Sequence, residues 1–113
     1  NAIRSIVESD DDASRAIVAA MSTHPEMVAG NGRLSTQWMR AVPGLIMKEG
    51  AEGVHIAGQR GKGVIAFKVI DGSMRAHEVI TRSALARIGI TAQVPAATVF
   101  GGPLPKVEIR ASF

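Results

Sequence analysis

"LIMKEGAEGVHIAGQRGKGVIAFKVID", residues 45–71, decides the fold. Three apolar runs are separated by clusters of glycine and charge. In the second, Val54 and Ile56 alternate with His55 and Ala57. In the third, Val64, Ala66, Lys68 and Ile70 alternate with Ile65, Phe67 and Val69. A period of two is the mark of a strand, whose side chains point to opposite faces in turn. "GQRGKG" (58–63) carries three glycines between two such runs and reads as a hairpin turn. The spacing predicts three antiparallel strands near 45–49, 53–59 and 63–70. The first run ends in Lys48, with Gly50 and Gly53 close behind. Either the glycines only turn the chain and Lys48 reaches solvent, or a strand carries Lys48 along the wall of a cleft.

Outward from this stretch the period changes. "SDDDASRAIVAAMSTHP" (9–25) predicts a helix near 10–23, capped by Ser9 or Asp10 and ended by Pro25. Acidic residues fill its first turn, where they oppose the positive end of the helix dipole. "MVAGNGR" (27–33) reads as a turn or loop. "LSTQWMRAV" (34–42) can form a short helix, stopped by Pro43-Gly44. "DGSMRAHEVITRSALARIGI" (71–90) predicts a helix near 73–88, capped by Asp71 or Ser73. Its apolar stripe is Met74, Val79, Leu85 and Ile88, and Gly89 stops it. The Pro/Gly-rich tail holds one further strand candidate, "KVEIR" (106–110). The order predicts an α+β layer: an antiparallel three-stranded meander packed with helices on one face.

The 113 residues suit one small domain. With 46% hydrophobic and 20% charged residues, the composition is that of a folded chain. No apolar run approaches the roughly 18–20 residues needed to span a bilayer, and no signal-peptide pattern is present, so no membrane association is expected. The absence of cysteine rules out disulfides and thiolate metal sites and fits a cytoplasmic protein. The net charge of +3 is spread along the chain. Nucleic-acid binders concentrate such charge in a stripe, so no nucleic-acid partner is expected. The chain starts "NAIRS", and Asn1-Ala2 reads as a remnant of tag removal. Residues 3–113 are then expected to form one domain, the C-terminal portion of a longer protein.

His24, His55 and His77 sit on different predicted elements without metal-ligand spacing, so neither a metal nor another cofactor is expected. His55 reads as a surface or half-buried strand residue. "GNGR" and "GQRGKG" lack the strand–loop–helix setting of a phosphate-binding loop. Lys48-Glu49-Gly50 matches K-x-G, the pattern in which a strand lysine lines the cleft of penicillin-binding proteins and β-lactamases and small residues beside it leave room for substrate. The hairpin and long helix that follow strengthen the match.

"HPEMVAGNGR" (24–33), "KEGAEGV" (48–54) and "KVIDGSMRA" (68–76) together resemble the asparaginase II family, the rhizobial type related to serine β-lactamases and glutaminases. The resemblance is dense over residues 20–90. It implies a β-lactamase/DD-peptidase-like fold, hydrolysis of the side-chain amide of L-asparagine, and serine–lysine pairs in place of a Ser-His-Asp triad. It makes Lys48 the catalytic counterpart of the K-x-G lysine and places Gly50 and Gly53 beside the substrate. Glu52 holds Lys48 or the substrate ammonium, or only caps a turn. Arg33 binds the substrate carboxylate bidentately, or serves a structural salt bridge.

The chain departs from the family in having no S-x-x-K: none of Lys48, Lys62, Lys68 and Lys106 has a serine three residues before it. The cysteines that hold zinc in some members and the tyrosine of glutaminase relatives are also missing. The nucleophile is therefore expected outside this chain, and homo-oligomers are expected to bury the surface its partner segment would cover. The alternative is a small stand-alone binding or oligomerisation module using the basic hairpin Arg60–Lys62.

Overall fold

The computed structural model describes residues 2–95. Its elements run α1 (Ala2–Glu8), α2 (Asp12–Thr23), α3 (Pro25–Ala29), α4 (Leu34–Ala41), β1 (Ile46–Glu49), β2 (Val54–Gln59), β3 (Gly63–Lys68) and α5 (His77–Arg87). The expected strand "KVEIR" lies outside the described residues. The α+β expectation holds: the three strands form an antiparallel meander in the order β1-β2-β3. No helix among the described residues is long and apolar enough to cross a membrane.

Register sorts the side chains by face. Met47, Ala57 and Ile65 are aligned, as are Glu49, His55 and Phe67, and these lie on one face. Ile46, Gly58 and Val64, with Lys48, Ile56 and Ala66, lie on the other. The first face meets the core of Trp38, Met39, Val42, Leu45, Leu85, Ile90 and Val94, supplied by α4, α5 and the segments after them. Trp38 and Met39 are buried together with Val42 because positions i, i+1 and i+4 share one side of a helix.

The second face is not bare, which corrects the expectation of helices on one side only. Val7 of α1 is 2% exposed. A Cβ placed on Gly58 would come 3.3 Å from Val7 Cγ1 and 2.7 Å from Val64 Cγ1. Glycine is thus what lets α1 lie flat on β2. The short α1 carries no turn residues and too few positions for a period to show, so the sequence left it unassigned.

Other corrections are local. The cap of α2 is Asp11 rather than Ser9 or Asp10: it accepts from Ser14 N at 2.8 Å and from the Ser14 hydroxyl at 2.7 Å. The Ser9 hydroxyl also donates to Asp11, and these bonds, Ser9's first, hold its carboxyl well below the usual range. Pro25 ends α2 but also opens α3, since a first-turn residue needs no amide donor; the expected loop begins only at Gly30. The last helix starts at His77, not near 73, because Asp71 turns the chain instead of capping it, accepting from Ser73 N at 2.9 Å. Met74 is therefore off the helix and exposed. Gly89 ends α5 as expected, at φ 76°, in a paired closure: Ile90 N donates to Leu85 O at 2.9 Å and Gly89 N to Ala86 O at 3.0 Å.

Candidate active site

Among the described residues β1 is an edge strand, so one side of its backbone is unpaired within their sheet. Gly50 N donates to Val54 O at 2.9 Å. Bonding alternates along an antiparallel pair, so the polar groups of Met47 and Glu49 face the free edge. The Lys48 ammonium turns to this edge and donates to the Glu49 carbonyl. Lys48 is exposed and makes no ion pair among the described residues.

The period of two sends the next side chain to the opposite face. Glu49 is buried, and its two carboxylate oxygens are separately engaged. Arg33 Nη2 donates to Oε2 at 2.9 Å, and the Ser35 hydroxyl donates to Oε1 at 3.0 Å. Burial favours the neutral acid, but the bonds from Arg33 and Ser35 and the Arg33 charge outweigh it and hold the carboxyl below the ordinary value. Arg33 is half exposed. Its loop is fixed by Thr36, whose hydroxyl donates to Gly30 O at 2.6 Å, and by Gln37 Nε2, which donates to Gly32 O at 3.2 Å.

The glycines flanking Lys48 are now explained in structural terms. Gly53 sits at φ 73° with its missing Cβ 3.0 Å from Val69 Cβ and 3.2 Å from Gly72. Only glycine fits that approach. Glu52 adopts φ 57°, an uncommon turn conformation for a residue with a side chain. Its carbonyl accepts from Lys68 Nζ at 2.8 Å, and its carboxylate is not paired with Lys48. The structure thus gathers Lys48, Gly50, Glu52 and Gly53 in one turn, and joins Arg33 to it through Glu49.

Two surface cavities occur elsewhere. One of about 350 Å³ lies between α1 and α2, lined by Ile6, Val18 and Arg60 among others; one of about 310 Å³ lies between α2 and α3. Neither includes Lys48, which stands in the open. No Ser or Thr hydroxyl is bonded to Lys48 among the described residues, and no group of three or more metal-ligating side chains occurs among them. The basic hairpin is partly spent: Arg60 Nη2 donates to Asp10 Oδ1 at 2.6 Å and to Glu8 O at 3.1 Å.

Two features escaped sequence reasoning. Glu49 was legible as lying opposite Lys48 by strand period, but not as the anchor of Arg33. His55, expected at the surface or half-buried, is fully buried and meets His77 of α5, with ring centroids 5.4 Å apart. Burial first, then the neighbouring His77, pushes His55 down to about 4; Glu49 opposes this. His77 is also lowered, by burial, against the backbone of Gly53 and the charge of Glu49. No local signal joins residues 22 positions apart on different elements.

Compared with known proteins, the chain matches the family described as L-asparaginase II over residues 2–103. No curated protein matches it.

Proposed function

The chain belongs to the L-asparaginase II family, and from that premise we propose that it forms one wall of the active site of an amidohydrolase converting L-asparagine and water to L-aspartate and ammonia. The observation that carries this is Lys48: among the described residues, an ammonium on the outer edge of the sheet, without a carboxylate partner, beside a glycine-shaped turn. A cation so placed makes no ion pair among the described residues and is open to a substrate or a reacting hydroxyl.

In this proposal the nucleophilic serine and its lysine lie outside these residues, on a segment facing the free edge of β1. The serine oxygen adds to the side-chain amide carbon of asparagine, and the C–N bond breaks as ammonia leaves with a proton. Water then cleaves the acyl-serine ester, giving aspartate and returning a proton to the serine. Lys48 orients a second hydroxyl in this relay, or deprotonates it once it has given up its own proton and become a neutral amine, or as the ammonium stabilises the developing negative charge. Arg33, oriented by Glu49, offers its unused donors to the substrate carboxylate, and Glu52 offers its carboxylate to the substrate ammonium. Gly50 and Gly53 shape the turn beside Lys48, and their backbone groups contact the substrate.

Hydroxylamine tests the covalent step. Added to the complete protein during turnover of asparagine, it should capture the acyl group as aspartyl β-hydroxamate. Aspartate formed at full rate with no hydroxamate at any hydroxylamine concentration would remove the acyl-serine.

The proposal includes self-association. Val54 and Ile70 are exposed near the same end of the sheet, Ile70 at 98%, and exposed apolar groups on a sheet favour pairing between copies. Light scattering should report a dimer or larger species; a monomer at about millimolar concentration would contradict it.

A further inference from the structure

We infer that His55 and His77, clasped with Phe67, form an acid-sensitive latch that fastens the first turn of α5 to the sheet. His55 on β2 and Phe67 on β3 are register partners, and their rings stack with centroids 5.1 Å apart at an interplanar angle of 1°. His77, the first residue of α5, stands edge-on to both, 5.4 Å from His55 and 5.2 Å from Phe67. The two imidazoles are 0% and 1% exposed. None of their four ring nitrogens makes a hydrogen bond of good geometry among the described residues.

This arrangement suits neutral rings and no others. An imidazolium carries two N–H donors; among the described residues His55 has no acceptor to receive them, and His77 has only the backbone of Gly53, which favours its charged form but is outweighed by burial. A buried, unpaired charge is strongly disfavoured. Two such charges 5.4 Å apart also repel. The facing charged groups offer little relief. Glu49, beside His55 across the strands, has one oxygen committed to Arg33 and the other to Ser35. Lys48 on the same strand opposes a charge on His55, while Glu49 favours one on either ring. Burial is the leading cause at both histidines, and it acts toward the neutral form.

When protons bind, something must move, and the parts differ in how firmly they are held. β2 is paired on both sides, so His55 stays where it is. α5 follows a turn, and its N-cap, Ala76, provides no side-chain cap. Its first turn is therefore the part that lifts, exposing both rings to water. Because both folded values lie below the ordinary value of 6.5, the closed form is fully favoured above about pH 6.5. It is lost progressively as pH falls toward about 4, where His55 titrates in the closed form.

Amide hydrogen exchange, corrected for the intrinsic pH dependence, tests the latch. Between about pH 7.5 and pH 5, protection at Ile80 to Arg82 should fall roughly tenfold or more, while Ile56 and Ala57 on β2 keep theirs. His77→Phe keeps an aromatic ring but removes one of the two titrations, and should clearly reduce that fall, leaving the part due to His55. Unchanged protection in the native protein, or the same fall in His77→Phe, overturns the latch. Should that variant fail to fold, the ring resonances of the native protein decide. Both histidines must stay neutral until the α5 amides lose protection. Protonation of both at pH 6 with those amides still protected would contradict the inference.

Discussion

Trp38→Ala should cost about 3–5 kcal/mol of folding stability, a large share of what a small domain possesses. Trp38 is fully buried at the centre of the core, where α4, β1, β2 and α5 meet through Met47, Ala57 and Leu85. The loss has two parts: the transfer free energy of a large apolar ring, and a cavity that two fixed helices cannot close. A third contribution comes from Arg82, whose guanidinium carbon lies 5.6 Å from the ring centroid. Arg82 also donates to Val94 O at 3.0 Å and Glu78 Oε1 at 3.1 Å, so the indole joins α5 to the segment after it. Trp38→Phe should cost clearly less, since a ring remains and the indole N–H has no hydrogen-bond partner among the described residues to lose. The variant removes the only tryptophan, so the denaturation midpoint has to be followed by circular dichroism. A loss below about 1 kcal/mol would mean that the core is not organised around this ring.

What was legible in the sequence was mostly periodic or punctuated. The strands near 45–49, 53–59 and 63–70 appear as Ile46–Glu49, Val54–Gln59 and Gly63–Lys68, because alternation and glycine turns are local signals. Which face is inward was not local. Val54 and Ile56 are the more hydrophobic pair on β2, yet His55 and Ala57 face the buried core, because α4 and α5 happen to cover that side. The same limit explains His55. A histidine on a strand is read as a surface residue until a stacking Phe67 and an approaching His77 are known.

The turn around Lys48 shows a similar division. Gly50 and Gly53 announced a special backbone, and the structure gives Gly53 a packing reason for being glycine. The adjacency of Lys48 and Glu49 implied opposite faces. It could not reveal that Glu49 anchors Arg33, because Arg33 arrives from a loop 16 positions earlier. The ion pair expected as one reading of Arg33 is present; its exposed remainder leaves room for the substrate reading as well.

The central claim is that Lys48 does chemistry. In the fold it does little: it is exposed and bonded only to a neighbouring carbonyl among the described residues. Substitution there should therefore leave stability within about 0.5 kcal/mol of the original. The decisive measurement is ammonia release from L-asparagine by the complete protein and its Lys48→Arg variant, with denaturation run alongside. Arginine keeps the positive charge but cannot act as a proton acceptor, and its planar fork does not reproduce a compact ammonium. Loss of a general acid–base group costs about 10²–10⁴ in rate, so kcat should fall about a hundredfold or more with stability unchanged. A variant that folds equally well and retains kcat within about threefold would make Lys48 a surface lysine and contradict the account.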